Sequence, residues 1–152
     1  MQNIVYGFKA GLESCGFIEG RNIIYIQHDN VSDVESVVRD MIAKKADIVF
    51  TMTAALTRKT KKLLENTGIP LIFGAVYDPV ESSIVKSLLE PGGNVTGVKI
   101  GGSTEKAFEW LLKAVPNIKT VFVPLSSDSD TAVMCTRVLK KSADKAHVKL
   151  VT

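Results

Sequence analysis

The sequence predicts an α/β fold of three layers, a mostly parallel sheet flanked by helices. Two observations predict it. Short apolar runs of strand length alternate with longer stretches of helical periodicity along the chain. Within Ile69 to Val98 the order is explicit: an apolar strand, a turn carrying Asp78-Pro79, an amphipathic helix, then a glycine turn (Pro91-Gly92-Gly93-Asn94) that enters a second strand. Strands joined by connections of this length cross over and run parallel, with helices on both faces of the sheet.

The elements follow in order. Ile4, Phe8, Leu12 and Cys15 form a helical stripe, and Gly16 and Gly20 flank the turn that ends it. Asn22 to Gln27 reads as a strand. Ser32 and Glu35 have capping-box spacing, and Val34, Val37, Val38, Met41 and Ile42 follow on one helical face. Asp47 to Thr51 is a short strand, and a helix spans about Ala54 to Glu65. Asn66-Thr67-Gly68 gives its C-terminal signal, and Pro70 prevents its continuation. Leu71 to Ala75 is the next strand. A helix after Pro79 is expected to bury Val80, Ile84, Val85, Leu88 and Leu89, and Val95 to Ile100 is extended.

Gly101-Gly102-Ser103 marks a boundary, so that residues 1–100 form a first lobe and 101–152 begin a second. The second holds a helix with Phe108, Leu111, Leu112 and Val115 on one face, a strand from Thr120 to Leu125, a helix to about Ala146, and a strand from Val148 to Val151. Two strands rarely make a stable sheet alone. The second lobe is therefore expected to be incomplete.

Composition excludes several classes. With 45% apolar and 23% charged residues the chain fits a soluble globular protein, and a net charge of +3 gives no case for nucleic acid. Paired basic residues such as Lys44-Lys45 and Lys61-Lys62 read as solvated helix ends and faces. Cys15 and Cys135 lie far apart on apolar helix faces and are expected to be buried free thiols. No apolar run approaches the ~18 residues of a membrane span. The N-terminus lacks the charged start and apolar core of a signal peptide and reads as a helix already under way.

Catalytic signatures are missing. His28 and His147 have no metal-ligand spacing, and no nucleophile elbow, zinc-protease or dinucleotide motif occurs, so neither a metal nor a cofactor is expected. Trp110, beside an apolar helix face, reads as packing.

The candidate site comes from topology. Loops leaving the carboxyl ends of parallel strands in one domain converge, and open α/β sheets bind ligands there. Four such loops are expected: Thr51 to Ala55, Gly74 to Pro79, Lys99 to Ser103, and Ser126 to Asp130. The first offers the hydroxyls of Thr51 and Thr53 and the N–H groups that begin a helix, which suit a carboxylate. Asp78 suits an ammonium or hydroxyl, and Tyr77 is placed to stack on a ligand. Together they could hold an amino acid by both ends. Asp78 before Pro79 equally reads as a helix cap, Thr53 likewise, and the serine-rich loop as capping and turn chemistry.

The segments GFKAGLESCGFIEGRNIIY, DIVFTMTAA, IPLIFGAVYDPVESSIVKSLLEPGGNVTGV and LLKAVPNIKTVFV resemble the ABC-transporter substrate-binding proteins related to tryptophan- and tyrosine-binding members. The likeness runs over nearly the whole chain, and the DPV…PGGN-x-TGV block is its most specific part. It implies a type I periplasmic-binding-protein fold, two α/β domains whose cleft closes on a small ligand. Carried over residue by residue, it implies contacts at Thr51, Thr53, Ala54, Ala75, Tyr77 and Asp78, with Ser126, Ser127 and Asp128 across the cleft. Three departures stand out: Met52-Thr53-Ala54 replaces the usual Gly-Thr-Pro, the Ser126 loop lacks Asn-Pro, and a preceding strand and most of the second domain are expected to lie outside the chain, which resembles a fragment. An absent strand would leave an exposed sheet edge open to another copy.

The resemblance implies an extracytoplasmic solute-binding component of an ABC importer. Its partners would be a small ligand, an amino acid with the aromatic ones among the candidates, and a permease. The alternatives are a ligand-sensing regulatory domain on the same fold and, with less support, a small α/β enzyme using Asp78.

Overall fold

The computed structural model describes residues 2–29, 31–126 and 129–152. The chain divides into two units, Met1–Lys99 and Ile100–Thr152.

In the first unit, α1 (Gln2–Ser14), α2 (Val34–Ala43), β1 (Val49–Met52), α3 (Ala54–Leu63), β2 (Leu71–Val76) and β3 (Val95–Lys99) follow in order. The strands form one parallel sheet, β1-β2-β3, with Val49 opposite Leu71 and Leu71 opposite Val95. Those three residues share one face, because side chains alternate along a strand. On that face Val38 of α2, Leu64 at the end of α3, and Ile84 and Val85 from the β2–β3 connection complete the buried core. The opposite face meets α1, where Phe8 stacks on Phe50 with ring centroids 4.3 Å apart and Ile4 lies beside Gly74. Helices thus flank a parallel sheet on both sides, the α/β architecture expected.

Strand β2 carries an irregularity. Phe73 pairs with Gly97 and Val76 with Lys99, so β2 advances three residues while β3 advances two. Without the extra residue, Phe73 and Val76 would point to opposite faces; both belong to the core. Ala75, inside this bulge, adopts φ +54°.

Gly97 explains part of the glycine-rich block. A Cβ there would sit 2.2 Å from the carbonyl oxygen of Phe73 and 2.5 Å from its ring. In the turn before β3, Gly92 and Gly93 both take positive φ, which glycine adopts without strain. Asn94 ties the turn down by donating from Nδ2 to the carbonyl of Ile69.

Several expectations are corrected. The stretch after Pro79 is not a helix but a turn over residues 79–83 followed by irregular chain. Ser83 at φ +57° ends the turn, and Ser82-Ser83 are weak helix-interior residues that compete for backbone hydrogen bonds. Only Ile84 and Val85 of the expected stripe are buried; Val80 and Leu88 are exposed, and Leu89 is 95% exposed. Asn22 to Gln27 makes no ladder beyond an isolated Glu19–Ile23 bridge, and Ile24 is 84% exposed. Alternation alone does not make a strand without a hydrogen-bonded neighbour. The α2 cap is Asp33, whose side chain accepts from the Ser36 N–H at 3.0 Å, rather than Ser32. Cys15 is exposed and Cys135 half-buried, both as free thiols.

The second unit contains α4 (Thr104–Ala114), β4 (Thr120–Phe122), α5 (Asp130–Lys145) and β5 (Lys149–Val151), with β4 and β5 parallel. Phe108, Ala143 and Val148 form its small core. Ser103 and Ser129 cap the two helices by accepting from Lys106 and Ala132 N–H groups. Trp110, expected to pack, is 66% exposed with the Lys113 ammonium 4.7 Å from its ring centroid.

Two glycines should respond oppositely to alanine. Gly97→Ala forces its methyl into the Phe73 backbone and is expected to destabilise by about 2–3 kcal/mol. Gly7→Ala, in α1 where nothing lies within 4 Å of the added methyl, should gain about 0.5–1 kcal/mol. Urea unfolding of the two variants checks both signs.

Candidate functional site

Strands β1 and β2 are adjacent and parallel, with Met52 opposite Gly74, so their carboxyl ends deliver two loops side by side. One is the β1–α3 turn at Thr53 and Ala54. The other is Tyr77 and Asp78, which follow β2 and its bulge residue Ala75. The sheet therefore brings six of the nine expected site residues to one end of the first unit. Thr51 sits in β1 itself, just before its turn.

Thr53 occupies the N-cap position of α3, yet its side chain makes no capping hydrogen bond. Its backbone is at φ +70°, ψ 149°, a region that L-residues, and β-branched ones above all, enter only under constraint. Such a conformation stores roughly 1–3 kcal/mol. The first α-helical bond is Thr57 N–H to the Thr53 carbonyl at 3.1 Å. The N–H groups of Ala54, Ala55 and Leu56 thus open the helix without a cap from Thr53, at the positive end of its dipole.

Beneath this turn lies a hydroxyl pair. Thr57 is fully buried; its Oγ1 donates to the Thr53 carbonyl at 2.6 Å and stands 3.0 Å from Thr51 Oγ1. Thr51 is also buried, so its hydroxyl is engaged with α3 inside the unit. Sequence reasoning missed Thr57. The signal was available: Thr57, Thr60 and Leu64 recur at i, i+3 and i+7, opposite Arg58, Lys59 and Lys62, and all three are buried.

Asp78 follows β2 and is half-buried. Its Oδ1 accepts the N–H groups of Val80 and Glu81, each at 3.0 Å, capping the turn that begins at Pro79. The cap reading is therefore realised, and the second carboxylate oxygen remains for other use. Lys61, read from the sequence as solvated, instead donates to the Ile84 carbonyl at 2.8 Å and fastens this turn to α3. Tyr77, between the bulge and Asp78, is half-buried.

Of the remaining site residues, Ser126 is exposed and its carbonyl accepts the Ser129 N–H at 3.2 Å. Ser127 and Asp128 lie outside the described residues. Among the described residues no group of three or more His, Cys, Asp or Glu could hold a metal.

Helix-start N–H groups suit an anion and a carboxylate suits a cation, and here both stand at the ends of adjacent parallel strands. The chain belongs to the ABC transporter substrate binding protein family, whose model matches residues 1–152. The family binds solutes and is not enzymatic. A tyrosine-binding protein of Clostridioides difficile (strain R20291) is 32% identical over 120 residues, covering 77% of this chain and 34% of that protein. Three solved structures are similar. One is a conserved domain protein from Vibrio cholerae O1 biovar El Tor, with TM-score 0.81, 29% identity, and coverage of 93% of this chain and 48% of that one. Another is an ABC domain from Streptococcus pneumoniae in complex with L-Trp, with TM-score 0.78, 28% identity, and coverage of 95% and 49%. The third is the ligand-free, open structure of CD0873, a substrate-binding protein with adhesive properties from Clostridium difficile, with TM-score 0.72, 31% identity, and coverage of 96% and 50%. The chain thus spans about half the length of these solved relatives.

Removing the Asp78 acceptor leaves two turn N–H groups without their partner. Asp78→Ala is expected to destabilise the first unit by about 1 kcal/mol, the usual worth of a cap. Urea denaturation followed by circular dichroism measures it.

Proposed function

We propose that the chain is the ligand-binding part of an extracytoplasmic solute-binding protein that delivers an amino acid, preferably an aromatic one, to an ABC permease. Family membership sets the class. The single observation that carries the ligand is the pairing, on adjacent strand ends, of the α3 helix start with Asp78. In this reading the Ala54 and Ala55 N–H groups and Thr53 take the ligand carboxylate. Asp78 takes its ammonium through the oxygen not committed to the turn, and Tyr77 flanks the side chain.

Ala75 acts through the bulge, which sets where Tyr77 and Asp78 emerge. Thr51 acts from below the turn. Ser126, Ser127 and Asp128 of the second unit are assigned further ligand contacts on the family resemblance. The relatives named for tyrosine and L-Trp support an aromatic side chain. The family's role supports an extracytoplasmic place and a permease partner. The β1 edge opposite β2, without a partner strand among the described residues, is where a second copy could pair.

Charge and cap can be separated at Asp78. Asp78→Asn keeps an oxygen to accept the Val80 and Glu81 N–H groups but loses the charge that an ammonium needs. Calorimetric titration with L-tryptophan and L-tyrosine should show affinity falling about tenfold or more, the worth of one charge-assisted hydrogen bond, with the melting temperature little changed. Unchanged affinity would refute the ammonium role. Absence of heat with every amino acid would refute the ligand class.

A further inference from the structure

We propose that Thr57 is a positioning residue for the binding turn: its buried hydroxyl holds Thr53 in a strained backbone conformation that aims the start of α3 at the ligand. This inference rests on the amino-acid-binding reading above. It concerns a residue that contacts no ligand.

The argument begins with a cost. Thr53 is β-branched and sits at φ +70°, ψ 149°, where only glycine is at ease. A relaxed Thr53 would return to the β region usual for an N-cap and let its own hydroxyl cap the helix. It does neither, so something must hold it. Thr57 takes part in three bonds: its N–H and its hydroxyl both donate to the Thr53 carbonyl, at 3.1 and 2.6 Å, and its Oγ1 lies 3.0 Å from Thr51 Oγ1 in β1. The N–H bond is ordinary helix geometry. The hydroxyl bond is not required by the helix, and it fixes the direction of the Thr53 carbonyl. That carbonyl's orientation and the Ala54 N–H belong to the same peptide plane, so fixing one fixes the other.

Burial makes the hold rigid. Thr57 is 0% exposed and Thr51 6% exposed. Neither hydroxyl can readily exchange its partner for water, so both remain committed to each other and to the turn. Thr51 belongs to β1, so the chain of bonds runs from the sheet through α3 to the backbone of Thr53.

The test uses the full chain, with thermal melts and calorimetric titration of L-tryptophan as the probe. Thr57→Val keeps the shape and removes the hydroxyl; it should weaken L-tryptophan binding about tenfold, whereas Thr57→Ser should bind within about twofold of the parent because its hydroxyl is retained. Thr53→Gly should raise the melting temperature of the parent by a few degrees, because glycine relieves the strain, and should give no gain beside Thr57→Val, where the turn has already relaxed. Parent-like affinity in Thr57→Val overturns the proposal, as does a Thr53→Gly change that lowers the melting temperature. Should Thr57→Val fail to fold, Thr57→Ala, which also lacks the hydroxyl, takes its place in both measurements with the same outcomes. No binding by the parent, with the melting coupling intact, removes the amino-acid reading and leaves the hold of Thr57 on the turn standing. Binding without that coupling does the reverse.

Discussion

Everything placed at the candidate site depends on β2 being hydrogen-bonded on both sides. Parallel pairing to β1 and β3 pins Leu71 and Phe73 into the core and brings the ends of β1 and β2 to the same level. The pairing on the β3 side is unusually close: the Phe73 carbonyl approaches the position a Cβ of residue 97 would fill. Glycine there is a packing requirement of the sheet. The bulge at Ala75 then changes parity, so that Val76 returns to the core after Phe73. Tyr77 and Asp78 emerge where they do because of that one added residue.

Much of this was legible in the sequence, and the reasons are specific. The order of strands and helices could be read because Val38, Met41 and Ile42, or Leu71 and Phe73, report burial directly through spacing and apolarity. The helix after Pro79 could not be read correctly. Val80, Ile84 and Leu88 have the right period, but Ser83 leaves helical φ, and Lys61 takes the Ile84 carbonyl from a distant part of the chain. That interaction is tertiary, and no local pattern carries it. Asn22 to Gln27 failed for the converse reason: alternation was present and the neighbour was not.

At the site, sequence reasoning located the two loops and assigned them hydroxyls and a carboxylate, and the structure turns one of those hydroxyls, that of Thr51, into the interior. Thr51 faces inward to Thr57, and Thr53 contributes a strained backbone and no cap. A threonine counts as polar in any periodicity argument, so the buried stripe of α3 (Thr57, Thr60, Leu64) is easily mistaken for surface. The basic residues Arg58, Lys59 and Lys62 on the opposite, exposed face are what mark this stripe as the buried one. Asp78 shows a different ambiguity. Capping and ligand contact need the same oxygen chemistry, and a carboxylate has two oxygens with which to do both.

The β2–β3 connection has a kinetic consequence. A helical crossover would shelter its amides in a continuous i to i−4 ladder, whereas residues 86–94, beyond the buried Ile84 and Val85, are held by separate bonds such as Lys86 N–H to Pro91 O and Glu90 N–H to the Ser87 hydroxyl. Each of these can break without disturbing its neighbours, so opening there is local and non-cooperative. Amide protons of this stretch should exchange with solvent long before those of β2, to which it is covalently joined. Asp78 sits at the seam between the slow-exchanging strand and the fast-exchanging crossover. A ligand that engaged its carboxylate would be read out as protection spreading from the strand into the crossover.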